Sequence, residues 1–300
     1  MKRIRCSRRI RAFVVALACL FPSPVAAHPG TGIVIDRFGQ IYFVDMVSGE
    51  WKVDVHGVLT HIQGPGFHWM TLDASDRFGN VQLPSGFSGD IARIGTGPAL
   101  MLGSDFPLAL APDGNVYFPA HRGGGPLQVW RLLPTGVVSV LASIPATNGR
   151  APVRHLNGLA AGPDGSLYYT EDDALRRISR AGQVTTVIER IDVPGCTAPP
   201  AGGTRRDPLL RGLAVDGSGT IYVAATGCGG VLRVSATGGV SLMPQVAQPW
   251  QATGIALLGN DLYVLEFQNA ATDDRREMVP RIRKIASDGR TSVIATVVRR

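Results

Sequence analysis

Three residues in this 300-residue chain, His68, Asn157 and Arg211, each stand immediately before an apolar run, as do Thr31, Phe106 and Thr253. Three carboxylates, Asp45, Glu171 and Glu266, close the runs IYFVD, LYYTE and LYVLE. Oxygen donors of this kind with one imidazole suit a hard divalent ion such as Ca²⁺ or Mg²⁺ better than a soft metal. In that chemistry Asn157 and Glu266 are the candidate ligands, and His68 or Glu171 is the general base of a hydrolase or lyase. A different chemistry centres on Arg211, whose guanidinium fork with Asn157 suits an anionic or carbonyl group, with Phe106 alongside. Plainer roles stand beside each: Asn157 caps its turn, Glu171 and Glu266 are solvated, and His68 is packed between Phe67 and Trp69. No HExxH, GxSxG or phosphate-loop context is present, which argues against zinc, serine-nucleophile and nucleotide chemistry.

These positions are spaced by a repeat. GIVIDRFGQIYFVD, PLALAPDGNVYFPA, GLAAGPDGSLYYTE, GLAVDGSGTIYVAA and GIALLGNDLYVLE share one grammar, an apolar run, a tight turn, and an apolar-Tyr strand. Each is a predicted hairpin. A second pair of strands with an Arg- or Lys-bearing first member follows, clearest in WRLLPTGVVSVLA, LRRISRAGQVTTVI, LRVSATGGVSLM and IRKIASDGRTSVIA. Six segments of about 45 residues result, the usual size of a propeller repeat. The second is irregular, with WMTLDASDRFG and ARIGTGPALML joined by a loop-like VQLPSGFSGD. The regularity of Tyr42, Tyr117, Tyr168, Tyr222 and Tyr263 marks them as packing between blades.

The first 27 residues read as a secretory signal peptide, with six positive side chains, an apolar run from Phe13 to Phe21, and Val25 and Ala27 before a cleavage point. That apolar run is too short to span a membrane, for which about 20 residues are needed. A periplasmic or secreted protein of one domain, residues 28–300, is expected, with no transmembrane segment. Removing the leader takes the formal net charge from +7 to +1, which removes the basic field a nucleic-acid partner requires. Two cysteines remain, Cys196 and Cys228, and in an oxidising compartment a single pair reads as a disulfide, with two unrelated thiols as the alternative.

The pattern G-(I/L)-A-x-D-x-x-G-x-(I/L)-Y-V followed by apolar-Arg-(I/V) resembles NHL repeats and the related regucalcin/gluconolactonase superfamily. That resemblance implies an all-β fold, a six-bladed β-propeller of four-stranded antiparallel blades. In lactonase-type members a metal is held by a Glu, an Asn in an N-G motif and an Asp; Asn157-Gly158 matches the second, while Pro29 to Thr31 and Arg211 stand where the carboxylates would be. Glu266 resembles the strand-end Glu of streptogramin-lyase-like propellers, where a metal and a His assist proton abstraction.

In an up-and-down blade the connections alternate sides, so the insertions Val193–Pro208, Ala120–Pro126 and Phe267–Pro280 gather on one face with Cys196 and Cys228. Function is expected there, around the central channel. The leading expectation is a monomeric propeller that binds a small molecule or peptide through Asn157, Arg211 and Phe106. The alternatives are a divalent-metal-assisted hydrolase or lyase, and an interaction platform with an exposed apolar patch.

Overall fold

The computed structural model describes residues 32–36, 38–45, 47–63, 69–72, 78–79, 100–103, 107–121, 125–145, 156–171, 173–191, 208–244, 246–268 and 275–298. The first sheet holds β1 (Ile33–Ile35), β2 (Ile41–Asp45), β3 (Gly49–Val53) and β4 (Leu59–Gln63). A three-stranded sheet follows, from β5 (Trp69–Leu72), β6 (Phe78–Gly79) and β7 (Leu100–Gly103). Next come β8 (Ala109–Leu110), β9 (Val116–Ala120), β10 (Gln128–Leu132) and β11 (Val138–Ser143), then β12 (Gly158–Ala161), β13 (Leu167–Thr170), β14 (Leu175–Ile178) and β15 (Val184–Ile188). The last two sheets are β16 (Leu210–Val215) to β17 (Ile221–Ala225), β18 (Gly230–Val234) and β19 (Val240–Leu242), and β20 (Trp250–Leu258) to β21 (Asp261–Gln268), β22 (Pro280–Ile285) and β23 (Thr291–Thr296).

All pairings are antiparallel, and in the four-stranded sheets each strand pairs with its neighbour in sequence. The leading strands lie side by side around a ring, β1 next to β20, β20 next to β16, β16 next to β12 and β12 next to β8, while β7 touches both β1 and β8. The protein is therefore an all-β propeller of four-stranded antiparallel blades.

The expected count of six such blades is corrected: among the described residues five sheets have four strands and one has three. In that one, β5 is central, with β6 on one side and β7 on the other, rather than the sequential order of the other blades. The segment carries the turn sequence Asp76-Arg77-Phe78-Gly79, but the residues after it, Asn80-Val81-Gln82-Leu83, lack the tyrosine whose hydroxyl ties strand to turn in two other repeats.

The repeat's turn residues have a visible purpose. In the β1–β2 turn, Asp36 Oδ1 accepts the backbone N–H groups of Phe38 at 2.9 Å and Gln40 at 2.8 Å. Asp216 does the same for Ser218 and Thr220. The other carboxylate oxygen accepts the tyrosine hydroxyl of the next strand, from Tyr42 at 3.2 Å and from Tyr222 at 3.3 Å. Gly39 and Gly219 stand in these turns at φ +83°, a left-handed conformation that a side chain would strain.

Both faces of each blade are apolar because both are covered. Tyr117, Val129 and Ala142 of one blade pack with Leu159, Tyr169 and Ile178 of the next. Tyr168 and Leu175 meet Leu213, Val223 and Leu232, and Tyr222 and Val231 meet Ile255, Val264 and Ile285. Ring closure uses the same contact. Phe43, Ile41 and Val53 of the first blade interlock with Tyr263, Leu265 and Ile282 of the last, and among the described residues each four-stranded sheet is made of strands consecutive in sequence, so there the two end blades meet by packing.

One polar group on a blade face stands apart. Glu50, on β3, is 1 % exposed, and its Oε2 has no hydrogen-bond partner. Burial pushes its carboxyl up to about 7, against smaller lowering effects of its own backbone N–H and of His61.

Two outcomes follow from this packing. Phe43→Ala empties the centre of the closing contact and should cost about 3–5 kcal/mol in urea unfolding, whereas Val293→Ala on the exposed edge of β23 should change stability by less than about 0.5 kcal/mol. Because the folded-state pKa of Glu50 is raised, its contribution to stability is present below about pH 4.5 and lost as pH rises through about 7. The difference in melting temperature between wild type and Glu50→Gln should therefore slope across that window and flatten above it; a constant difference would rule out a titrating Glu50.

Candidate functional site

Two leading strands depart from regular sheet at their N-terminal ends. β16 carries a bulge between Leu210 and Leu213, which takes in Arg211, and β20 carries one between Ala252 and Gly254, which takes in Thr253. A bulge re-aims the residues it contains and leaves them outside the ladder. Just before Arg211, Leu209 has φ +45°, the one non-glycine residue with positive φ among those described. Such a conformation costs about 1–3 kcal/mol and persists only where its surroundings impose it. Here the 3-10 turn Thr226–Cys228 does so: Thr226 and Gly227 donate their N–H groups to the carbonyls of Leu209 and Pro208 at 3.2 and 2.9 Å.

Asn157 and Arg211 come together across the boundary between the β12–β15 and β16–β19 blades. Asn157 is 9 % exposed, and its backbone N–H donates to the Thr170 carbonyl at 3.0 Å. The Thr170 hydroxyl donates to the Arg211 carbonyl at 2.8 Å, which ties the blades at this point. Gly158 makes the approach possible: a Cβ there would lie 2.4 Å from the Arg211 carbonyl oxygen and 2.7 Å from Leu213 Cδ2. At the next boundary the Thr226 hydroxyl donates to the Ala252 carbonyl at 2.7 Å. Thr253 there is fully buried, with its hydroxyl on the Leu265 carbonyl, so it offers nothing to a ligand.

The strand-end carboxylates are each engaged. Asp45 accepts the Val47 N–H and the Ser48 hydroxyl, and Ser48 Oγ accepts the Trp51 indole N–H at 2.8 Å. Glu171 lies 3.5 Å from Arg176 Nε, and Arg176 also bonds Thr186 and Glu189. The lone pairs of Glu171 are thus shared with a guanidinium rather than offered only to a substrate proton.

Glu266 is the most enclosed of the three, at 0 % exposure. Arg281 Nε donates to its Oε2 at 2.8 Å and Arg283 Nε to its Oε1 at 2.5 Å. The Arg281 guanidinium lies 3.8 Å from the centre of the Trp250 ring, and Arg283 Nη1 reaches the Pro244 carbonyl at 3.5 Å. A divalent ion at Glu266 would compete with two guanidinium groups for the same oxygens and be repelled by both. The pair Asn157 and Glu266 therefore does not fit a metal centre. Among the described residues no group of three or more His, Cys, Asp or Glu side chains converges.

His68, Phe106 and Cys196 lie outside the described residues. Cys228 ends the 3-10 turn that supports Leu209. Sequence reasoning missed Arg281, Arg283 and Trp250. The signal was present in PRIRKI: arginines two apart on a strand share a face, and a buried face with two guanidiniums demands a carboxylate.

No family model and no curated protein matches the chain. Solved structures do match. Regucalcin from Agrobacterium tumefaciens, described as a calcium-binding protein, shares 16 % identity over 83 % of this chain and 86 % of its own, with a TM-score of 0.55. A gluconolactonase from Xanthomonas campestris shares 17 % identity over 79 % of this chain and 83 % of its own, at a TM-score of 0.52. Virginiamycin B lyase from Staphylococcus aureus shares 13 % identity over 88 % of this chain and 83 % of its own, at 0.50. At such identities the likeness is one of fold: the chain is a β-propeller whose structural neighbours are regucalcin, gluconolactonase and virginiamycin B lyase-like propellers, consistent with the superfamily its repeats resemble.

Proposed function

We propose that this protein is an exported, monomeric propeller that binds a small molecule or peptide on its insertion face, with Arg211 and Asn157 contacting a carboxylate or carbonyl group. The observation that carries the reading is the junction at Gly158, where the absence of a Cβ lets the backbone beside Asn157 rest on the Arg211 carbonyl. Arg211 stands on a bulge next to a strained Leu209, an arrangement that costs stability and is typical of ligand sites. Its guanidinium offers a fixed fork of donors to an oxyanion. In the same reading the three-stranded sheet is the sixth blade, and residues 1–27 are removed on export. A Cys196–Cys228 bridge pins the long insertion; its support is the disulfide-bonded state of Cys228.

A second reading has support at the level of fold, because lactonases and a lyase use this propeller. A hydrolase or lyase here would have to work without a metal on Glu266, since that carboxylate is held by Arg281 and Arg283. A third, the interaction platform, finds exposed Val55 and Leu258 near Gly39, at the seam of the first and last blades.

The test is a melting-temperature screen with small carboxylates, lactones and short peptides. At least one class should stabilise the wild type saturably, and Arg211→Gln should weaken that binding at least tenfold, a change of about 1.4 kcal/mol. Asn157→Ala should weaken it less. The reading is defeated if none of the ligands that stabilise the wild type binds Arg211→Gln at least tenfold more weakly.

A further inference from the structure

One blade boundary further round the ring, two arginines are held in a way that the packing of the blades does not account for. β22 places Arg281 and Arg283 on one face, turned toward the preceding blade, as their register with Glu266 and Val264 requires. Both give only their Nε to Glu266, so both terminal forks are left over. Among the described residues the hydrogen bond of Arg281 is made by its Nε, and its guanidinium plane is braced on Trp250. Arg283 is 5 % exposed, its Nη2 has no partner, and its Nη1 reaches Pro244 only at the long distance of 3.5 Å.

Among the described residues, two guanidiniums stand against one carboxylate and leave a net charge of +1 in a place almost closed to solvent. A buried cation with unmade hydrogen bonds is costly, and a structure keeps one when something supplies the missing acceptors. Water can accept a hydrogen bond but cannot neutralise the charge. A carboxylate or phosphate does both, and the planar fork of arginine matches two of its oxygens.

We propose that the terminal nitrogens of Arg281 and Arg283 form an oxyanion-binding site at this boundary, with Glu266 and Trp250 as the residues that position them. Glu266 anchors both guanidiniums by their Nε atoms, and Trp250 braces Arg281. The ligand is a small oxyanion, either inorganic phosphate or the carboxylate of an organic molecule. The site does not depend on Arg211 and Asn157.

The experiment is a titration of the full-length protein by melting temperature and by calorimetry, with inorganic phosphate in one arm and succinate in the other, at ionic strength held constant with sodium chloride. A saturable rise in melting temperature is expected in at least one arm, and which arm responds identifies the source of the oxyanion. Arg281→Gln, at the edge of the site, should raise the apparent Kd at least tenfold, while Arg211→Gln should leave it unchanged. Glu266→Gln should melt lower than wild type without anion, and should gain more from the responding anion than wild type does. The proposal is overturned if neither anion does more than chloride at equal ionic strength. It is equally overturned if Arg281→Gln titrates like wild type, or if binding is lost in Arg211→Gln instead.

Discussion

Each blade of this protein has two apolar faces, and a single sheet can cover neither. Phe43, Tyr169, Val223 and Val264 stand on one face of their sheets and Tyr42, Tyr168, Tyr222 and Tyr263 on the other, so every blade is stable only between two neighbours. The ring is the arrangement that gives every blade two neighbours. Among the described residues no strand is exchanged at closure: the contact of Phe43 with Leu265 and Ile282 is the same contact, made once more between the first and last blades.

The boundaries between blades also decide where chemistry can sit. Toward one end of two boundaries the apolar packing gives way to polar side chains, and there the backbone of one leading strand is tied to the blade before it. Thr170 donates to the Arg211 carbonyl and Thr226 to the Ala252 carbonyl, and at both points the receiving strand is bulged. These ties stabilise the ring and at the same time release residues such as Arg211 from the ladder. Two buried carboxylates are matched by arginines instead, Glu266 by Arg281 and Arg283 and Glu171 by Arg176, while Glu50 Oε2 is left unmatched.

Much of this was legible in the chain itself. The Asp-x-x-Gly turn and apolar-Tyr strand predict the hairpins and their register, because the aspartate caps the turn and also receives the tyrosine hydroxyl. The positions of Asn157 and Arg211 follow from that register. The segment around β5 was not legible in the same detail, since its Asp76-Arg77-Phe78-Gly79 turn sequence is followed by no apolar-Tyr strand, and its strands depart from sequential order. Nor were the partners of Glu266. They lie 15 and 17 residues away, beyond an insertion, and only cross-strand pairing brings them to it. A strand-end glutamate resembling a metal ligand in sequence is, in the fold, the counter-ion of two arginines.

The chemical character of the propeller turns on that exchange of a cation for guanidinium groups. The most direct measurement is a calorimetric titration of Ca²⁺ into chelator-treated protein, wild type beside Glu266→Gln. The arrangement of Arg281 and Arg283 predicts no saturable heat that depends on Glu266, so the two proteins should titrate alike. Stoichiometric Ca²⁺ binding by the wild type that disappears in Glu266→Gln would contradict it.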